Sequence, residues 1–487
     1  MPEAGTPIEP EFMTAAHPVS PAVRPAALWE ALIPVVVLIF LIRISLVNLE
    51  STAHIPLLLS AAIAALIGRS IGHRWHDIEQ GILGGIVLGL KAILILLVIG
   101  TLIGTWIAGG IVPTLIYYGL GLLSPSFFLV AACLICCVVS VATGSSWTTA
   151  GTVGIALIGV GQGLEVPTPM IAGAIVSGAY FGDKISPLSD TTNLAPAVAG
   201  SELFEHIRYM LFTTLPSLCI ALLIYAILGW THGSGATDSD KVDLIRHTLE
   251  QHFNLDPLLL IPPLLVILMV MFRLPALPAL FGGALLGALL AGAFQDASLQ
   301  SIVTAAQSGY VSNTGVETID TLLSRGGLDN MLPTVSLILA ALAFGGAMER
   351  TGLLAALATA ILRLARGTGR LVTATVVTCI GMNIVAPDQY LSIIVSGRMY
   401  REAYHDLGLH PKLLSRTLED SGTLSSPLVP WNTCGAFMST TLGVGALSYL
   451  PYAYLNLLNP IVAIGLAFAG WKIATLPNRS QPAIPPA

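Results

Sequence analysis

Two polar patches that carry carboxylates interrupt sequence otherwise apolar enough to lie in a membrane: YFGDKISPLSDTTN (180–193) and EDSGTLSSPLVPWN (419–432). From Pro125 to Gly182 the only charged residue is Glu165, and from Ser421 to Trp471 there is none. A carboxylate at the edge of such a stretch is costly in low dielectric and normally marks an ion or substrate pathway. Ser186-Pro187-Leu188 recurs as Ser426-Pro427-Leu428, 240 residues later, and Gly182 recurs as Gly422 at the same offset. One chemical device is therefore built twice.

Proline shows what that chemistry could be. It cannot donate to the carbonyl four residues earlier in a helix, so Pro187 would free the carbonyl of Asp183, Pro387 that of Asn383 and Pro427 that of Thr423. Irregular backbone at membrane depth survives only where protein or a watery cavity meets its polar groups. Around these breaks lie Thr143, Ser145, Ser146, Thr148, Thr149, Ser186, Ser189, Asp190, Thr191, Thr192, Asn193, Asn383, Asp388, Thr423, Ser425 and Asn432. Almost all are oxygen donors, with no Cys or His, which suits a small hard cation such as Na⁺ and disfavours a softer metal. Asp183 is the leading candidate carrier, with Asp190 next. Asp183, Asp190 and Asp388 are the expected carboxylate ligands of Na⁺.

Composition sets the elements that must hold these residues. Of 487 residues, 10% are charged and 54% hydrophobic, and the mean hydropathy is +0.82, against roughly 25% charged in a soluble domain. The fold class expected is an all-α polytopic membrane protein. The net charge of −6 gives no reason to expect a nucleic-acid partner; the partners expected are the lipid bilayer, Na⁺ and H⁺. Cys133 and Cys136 have metal-like spacing but no second pair to complete a site. No cofactor is expected.

Residues 1–27, rich in Pro and Ala, read as a disordered tail. A first transmembrane repeat follows at 28–230, then a polar linker at 231–254. A second repeat spans 255–474 with an interfacial insertion at 299–330, and 475–487 is a C-terminal tail. GTWIAGG (104–110) and GAMERTG (346–352) recur at an offset of 242, each before an apolar run. Arg69, His73 and Arg74 in one half and Arg363, Arg366 and Arg370 in the other place both basic loops in the cytoplasm if the positive-inside rule holds. The two copies would then enter the membrane from opposite sides, as an inverted repeat.

The motifs TGSSWTTAGTVGIALIG (143–159), GAYFGDKISPLSDTTNLA (178–195), NIVAPDQYLSIIVSGRMY (383–400) and EDSGTLSSPLVPWNTCG (419–435) resemble those of the NhaC-type sodium/proton antiporter family. That resemblance runs from about residue 28 to 474. It implies cation/proton exchange across a bacterial inner membrane and puts Asp183, Asp190, Asn193, Asp388, Asp420 and Asn432 in the family's polar centre, with Ser146, Thr148, Ser186, Asn383 and Thr423 beside them. By analogy with the wider superfamily, residues 144–149 and 384–388 would be tips of re-entrant hairpins, and 182–192 and 422–430 interruptions in transmembrane helices. The oligomeric state stays open between a monomer and the homodimer common in that superfamily.

Several residues also have plainer roles. Lys184 would neutralise its neighbour Asp183 in a structural pair. Lys91 would snorkel or meet a carboxylate, and Asp388 would cap a helix. Asp420 would lie near water at a helix end, and His206, His405 and His410 would be interfacial. Trp147 and Trp431 would pack beside the site or anchor at the interface. A sodium- or proton-coupled exchanger of organic anions such as malate and lactate is the alternative function. It would need a cation for the carboxylate, with Lys184 and Arg398 the nearby candidates. An intramembrane aspartyl protease needs a second facing Asp, and a channel gives no reason for titrating carboxylates in matched breaks. The protein is not expected to be an enzyme.

Overall fold

The computed structural model describes residues 23–49, 51–233 and 239–476, and among them every extended apolar run is helical. Lipid offers the backbone no hydrogen-bond partner, so each run must satisfy its own N–H and C=O groups. Six helices are long and apolar enough to cross a bilayer, and two bent pairs bring the number to as many as eight. Val87, Leu94, Val138, Leu223, Ile227, Leu285 and Leu289 point outward from these helices, as a lipid-facing belt requires. The molecule is a multi-pass membrane protein.

The longest helix, Trp75–Ala108, has 34 residues and spans about 51 Å at 1.5 Å per residue, more than the ~30 Å hydrocarbon core. It packs along Leu332–Arg350 and Ala276–Phe294. Glycine permits the approach: a Cβ on Gly85 would sit 2.7 Å from the Leu342 carbonyl oxygen and 3.0 Å from the Cα of Gly346. Small residues at such crossings let helices in lipid gain dispersion contact. A second unit is built on Pro125–Thr143 against Thr168–Ile185 and joined by Thr368–Val385, Gln389–Asp406 and Pro411–Leu418.

The repeat offset has a backbone counterpart. Gly110 (φ 76°) precedes the helix Ile111–Leu122, and Gly352 (φ 74°), 242 residues on, precedes Leu353–Leu362. Both need the left-handed region that only glycine enters freely.

The expected linker contains a helix, Ser239–His252, whose Ile245 and Leu249 are buried; residues 234–238 lie outside the described residues, as does most of the expected N-terminal tail. The expected insertion is docked on the membrane body. Its helix Leu299–Ser308 lies along the long helix, and the Gly327 N–H donates to the Gly100 carbonyl at 2.7 Å.

Candidate functional site

Four breaks in helices come together in the second unit. Pro125–Thr143 stops at Gly144 (φ 67°), and Ser145 caps the next helix, its Oγ accepting from the Thr148 N–H at 3.1 Å. Thr168–Ile185 stops where Pro187 offers no N–H, and Ser189 caps Asp190–Ala199. In the other half Thr368–Val385 ends before Pro387, and Asp388 caps Gln389–Asp406, its Oδ1 accepting from the Tyr390 and Leu391 N–H groups at 2.9 and 3.1 Å. The fourth break runs from a π-helical turn, Glu419–Thr423, to Asn432, which caps Thr433–Leu442. A second π turn, Ala150–Gly154, follows the first break. Single π turns inside α-helices are frequent at functional sites.

Asp183 sits at the meeting point, 6% exposed. The Ser146 hydroxyl donates to its Oδ2 at 2.5 Å and the Ser189 hydroxyl to its Oδ1 at 2.6 Å. No cationic side chain pairs with it among the described residues. Lys184 does form a buried ion pair, but not with its neighbour. Consecutive helical residues point about 100° apart, and the ammonium reaches across to Asp420 in the other half. Asp420 is accordingly fully buried rather than near water, and also takes bonds from Thr213 (3.0 Å) and Asn459 (2.7 Å), with the Arg416 Nε 3.6 Å away.

The carbonyls beside the prolines are not left open. The Thr192 hydroxyl donates to the Asp183 carbonyl at 2.8 Å, Asn432 Nδ2 to the Asn383 carbonyl at 3.2 Å, and the Ser426 hydroxyl to the Thr423 carbonyl at 2.7 Å. A second lone pair remains on each. Asn383 Nδ2 spans the two breaks of its half, bonding the Gly422 carbonyl (2.7 Å) and Ser425 Oγ (2.8 Å). Ser186 Oγ ties its break to the Val141 carbonyl at 2.9 Å, and Thr148 Oγ1 bonds Ser145 Oγ at 3.1 Å. Trp147 stacks on Phe437 with centroids 3.9 Å apart, and Trp431 Nε1 donates to the Ile384 carbonyl at 2.8 Å. Both tryptophans pack at the breaks.

Asp190 faces elsewhere. It is 60% exposed and 2.9 Å from the ammonium of Lys91, itself 70% exposed halfway along the longest helix, and Tyr390 Oη is 3.4 Å away. Asn193, also exposed, bonds the Pro187 and Ser189 carbonyls at 2.8 and 2.7 Å. Two exposed charges amid membrane-length helices pair with each other, as such charges normally do. Asp183, Asp190 and Asp388 therefore do not converge as one set of ligands; among the described residues no three His, Cys, Asp or Glu side chains do. The second Asp of a protease is also missing from the Asp183 carboxylate, whose partners are serines.

Sequence reasoning passed over Glu419, Arg416 and the burial of His206. Glu419 and Arg416 are fully buried, and so is His206, which bonds Ser415 Oγ at 2.7 Å instead of lying at the interface. For Glu419 and Arg416, proximity in sequence to Asp420 and the repeated Gly422 was the available signal; His206 reaches Ser415 only through the fold.

Buried oxygen donors at paired helix breaks, joined across two halves of a polytopic helical body, define a secondary-transporter architecture. Residues 178–471 match the profile of the Na⁺/H⁺ antiporter family. Over 89% of this chain and 94% of the relative, 41% of residues are identical to the Na⁺/H⁺ antiporter NhaC of Alkalihalophilus pseudofirmus. Identity is 40% with the malate-2H⁺/Na⁺-lactate antiporter of Bacillus subtilis (91% and 94% covered) and 39% with the arginine/ornithine antiporter ArcD of Halobacterium salinarum (91% and 92%). The chain belongs to the Na⁺/H⁺ antiporter family, in its NhaC branch.

Proposed function

We propose that this protein exchanges Na⁺, and Li⁺ where present, for H⁺ across the inner membrane of a bacterium, by alternating access to a site centred on Asp183. The observation that carries this reading is the Asp183 carboxylate itself, buried and held by two hydroxyl donors with no cation of its own. A buried carboxylate without a counter-charge is strongly disfavoured as a bare anion. A proton or a sodium ion relieves it, one excludes the other, and that competition couples the two flows. The bare form faces a desolvation barrier to crossing, which suppresses leak. The protein moves ions and transforms none, so no enzymatic step is involved.

Relatives at nearly equal identity are named for different cargoes, so similarity alone does not choose among them. The cations do. Lys184 is committed to Asp420, so the cation next to Asp183 in sequence is not free for an organic carboxylate there. One observation favours exchange of an organic anion as second reading: the buried guanidinium of Arg416 has no hydrogen-bond partner on Nε, Nη1 or Nη2. Uptake of radiolabelled sodium and of radiolabelled malate into proteoliposomes under an outward proton gradient separates the readings. Sodium accumulation without malate accumulation is expected. Malate uptake abolished by Arg416→Met would establish the second.

A further inference from the structure

Of seventeen buried side-chain atoms without a hydrogen-bond partner among the described residues, ten belong to His206, Arg416, Glu419, Asp420, Thr423, Asn456 and Asn459. Native proteins leave few such atoms, and each calls for a reason. Two of these residues stand out by position. Thr423 is the repeat counterpart of Asp183, 240 residues on, each following the repeated glycine. Where the first half has a carboxylate, the second has a hydroxyl, and its Oγ1 is buried and unbonded. Glu419 lies one turn earlier in the same π segment, fully buried, with both carboxylate oxygens unbonded.

The surroundings of Glu419 point toward Asp183. Its neighbours are the Thr423 and Thr191 hydroxyls and the charges of Lys184 and Asp183. Neither hydroxyl is in bonding geometry with it, and among the described residues no cationic nitrogen lies within 4.0 Å of it. Thr191 Oγ1 is 3.1 Å from Ser189 Oγ, which in turn bonds Asp183. The π segment packs directly on the helices bearing Asp183 and Asp190. Arg416, the nearest candidate to neutralise Glu419, turns its guanidinium over the Tyr209 ring at 4.5 Å and toward Asp420.

Charge balance adds a second argument. Lys184 and Arg416 supply two positive charges to this buried cluster, and Asp183, Glu419 and Asp420, when ionised, supply three negative ones, with Asp388 buried at the neighbouring break. A monovalent cation, H⁺ or Na⁺, offsets the excess. Buried charge without compensation is costly, and a hard cation prefers carboxylate and hydroxyl oxygens.

We propose that Glu419 and Thr423 are the second half's contribution to the sodium site, completing with Asp183 a site shared between the two repeats. The proposal rests on the sodium/proton reading above and extends it to residues that the motifs did not single out as a pair. A site divided between the halves would be remade whenever they move against each other.

The test is the thermal unfolding midpoint of the purified full chain as NaCl replaces N-methyl-D-glucamine chloride at constant ionic strength. Sodium bound only by the folded protein raises the midpoint. The rise is expected in wild type, lost in Asp183→Asn and Glu419→Gln, and shifted to about tenfold higher sodium in Thr423→Val, with Thr423→Ser restoring it. If Glu419 serves only as counter-charge to Lys184 and Arg416, Glu419→Gln lowers the midpoint without sodium yet keeps the sodium-dependent rise. That result, or an unchanged sodium dependence in Thr423→Val, overturns the shared site while leaving Asp183 in place. No rise in wild type would instead remove the sodium reading on which the site depends.

Discussion

Lys184 shows how far a single residue can be read from sequence. Adjacency to Asp183 suggests that the two neutralise each other, and a structural ion pair is indeed present, but helical rotation sends the ammonium to Asp420. The consequence is that Asp183 has no cationic partner among the described residues. Removing one partner of a buried pair typically costs ~3–5 kcal/mol, whereas replacing both with apolar residues is often near neutral. Lys184→Met should therefore lower stability by about that amount, and Lys184→Met with Asp420→Leu should be more stable than either single variant. Denaturant titration in detergent of all three checks this ordering; a double variant weaker than both singles would mean that the remaining Arg416, Asn459 and Thr213 contacts depend on the Asp420 carboxylate.

At the scale of elements, prolines and glycines made the breaks legible. Pro187, Pro387 and Pro427 each mark a place where a helix stops or changes, and Gly110 and Gly352 recur at the repeat offset with the same left-handed backbone. What proline could not reveal was the fate of the freed carbonyls. Their partners, Thr192, Asn432 and Ser426, come from the far side of the same break or from the facing break of the same half, and that depends on how each break folds back. The 299–330 segment was harder still, because Gly and Asn obscure its periodicity; only its packing on Gly100 and Gly104 shows it as part of the body.

Within that segment Asp320 organises a turn. Its carboxyl is held below the usual range, chiefly by the Thr314 N–H and, against some burial, by the Ser312 and Thr314 hydroxyls and the Gly315 N–H. A depressed folded value stabilises the turn at every pH above the ordinary carboxylate value of about 4, and the contribution is lost as pH falls through the lower folded value. Asp320→Asn at neutral pH should accelerate hydrogen exchange at Thr314 and Gly315, whereas wild type loosens there only in acid below about pH 4. Equal protection in the variant would show that the hydroxyl and backbone contacts hold the turn without the charge.

Over the whole molecule, composition was enough for a polytopic helical body. The Lys91–Asp190 pairing was not legible, since the two are 99 residues apart and meet only because the long helix passes beside the second unit. In the proposed exchange, a buried carboxylate with hydroxyl partners is the arrangement required, since burial would enforce the choice between proton and sodium. The most direct measurement is fluorescence of a trapped pH dye in proteoliposomes carrying a proton gradient, on adding NaCl, LiCl, KCl, malate or lactate to wild type and Asp183→Asn. Dequenching by NaCl in wild type and none in Asp183→Asn is the expected result. Silence with every cation but a response to malate or lactate, or full sodium response in Asp183→Asn, would contradict exchange at Asp183.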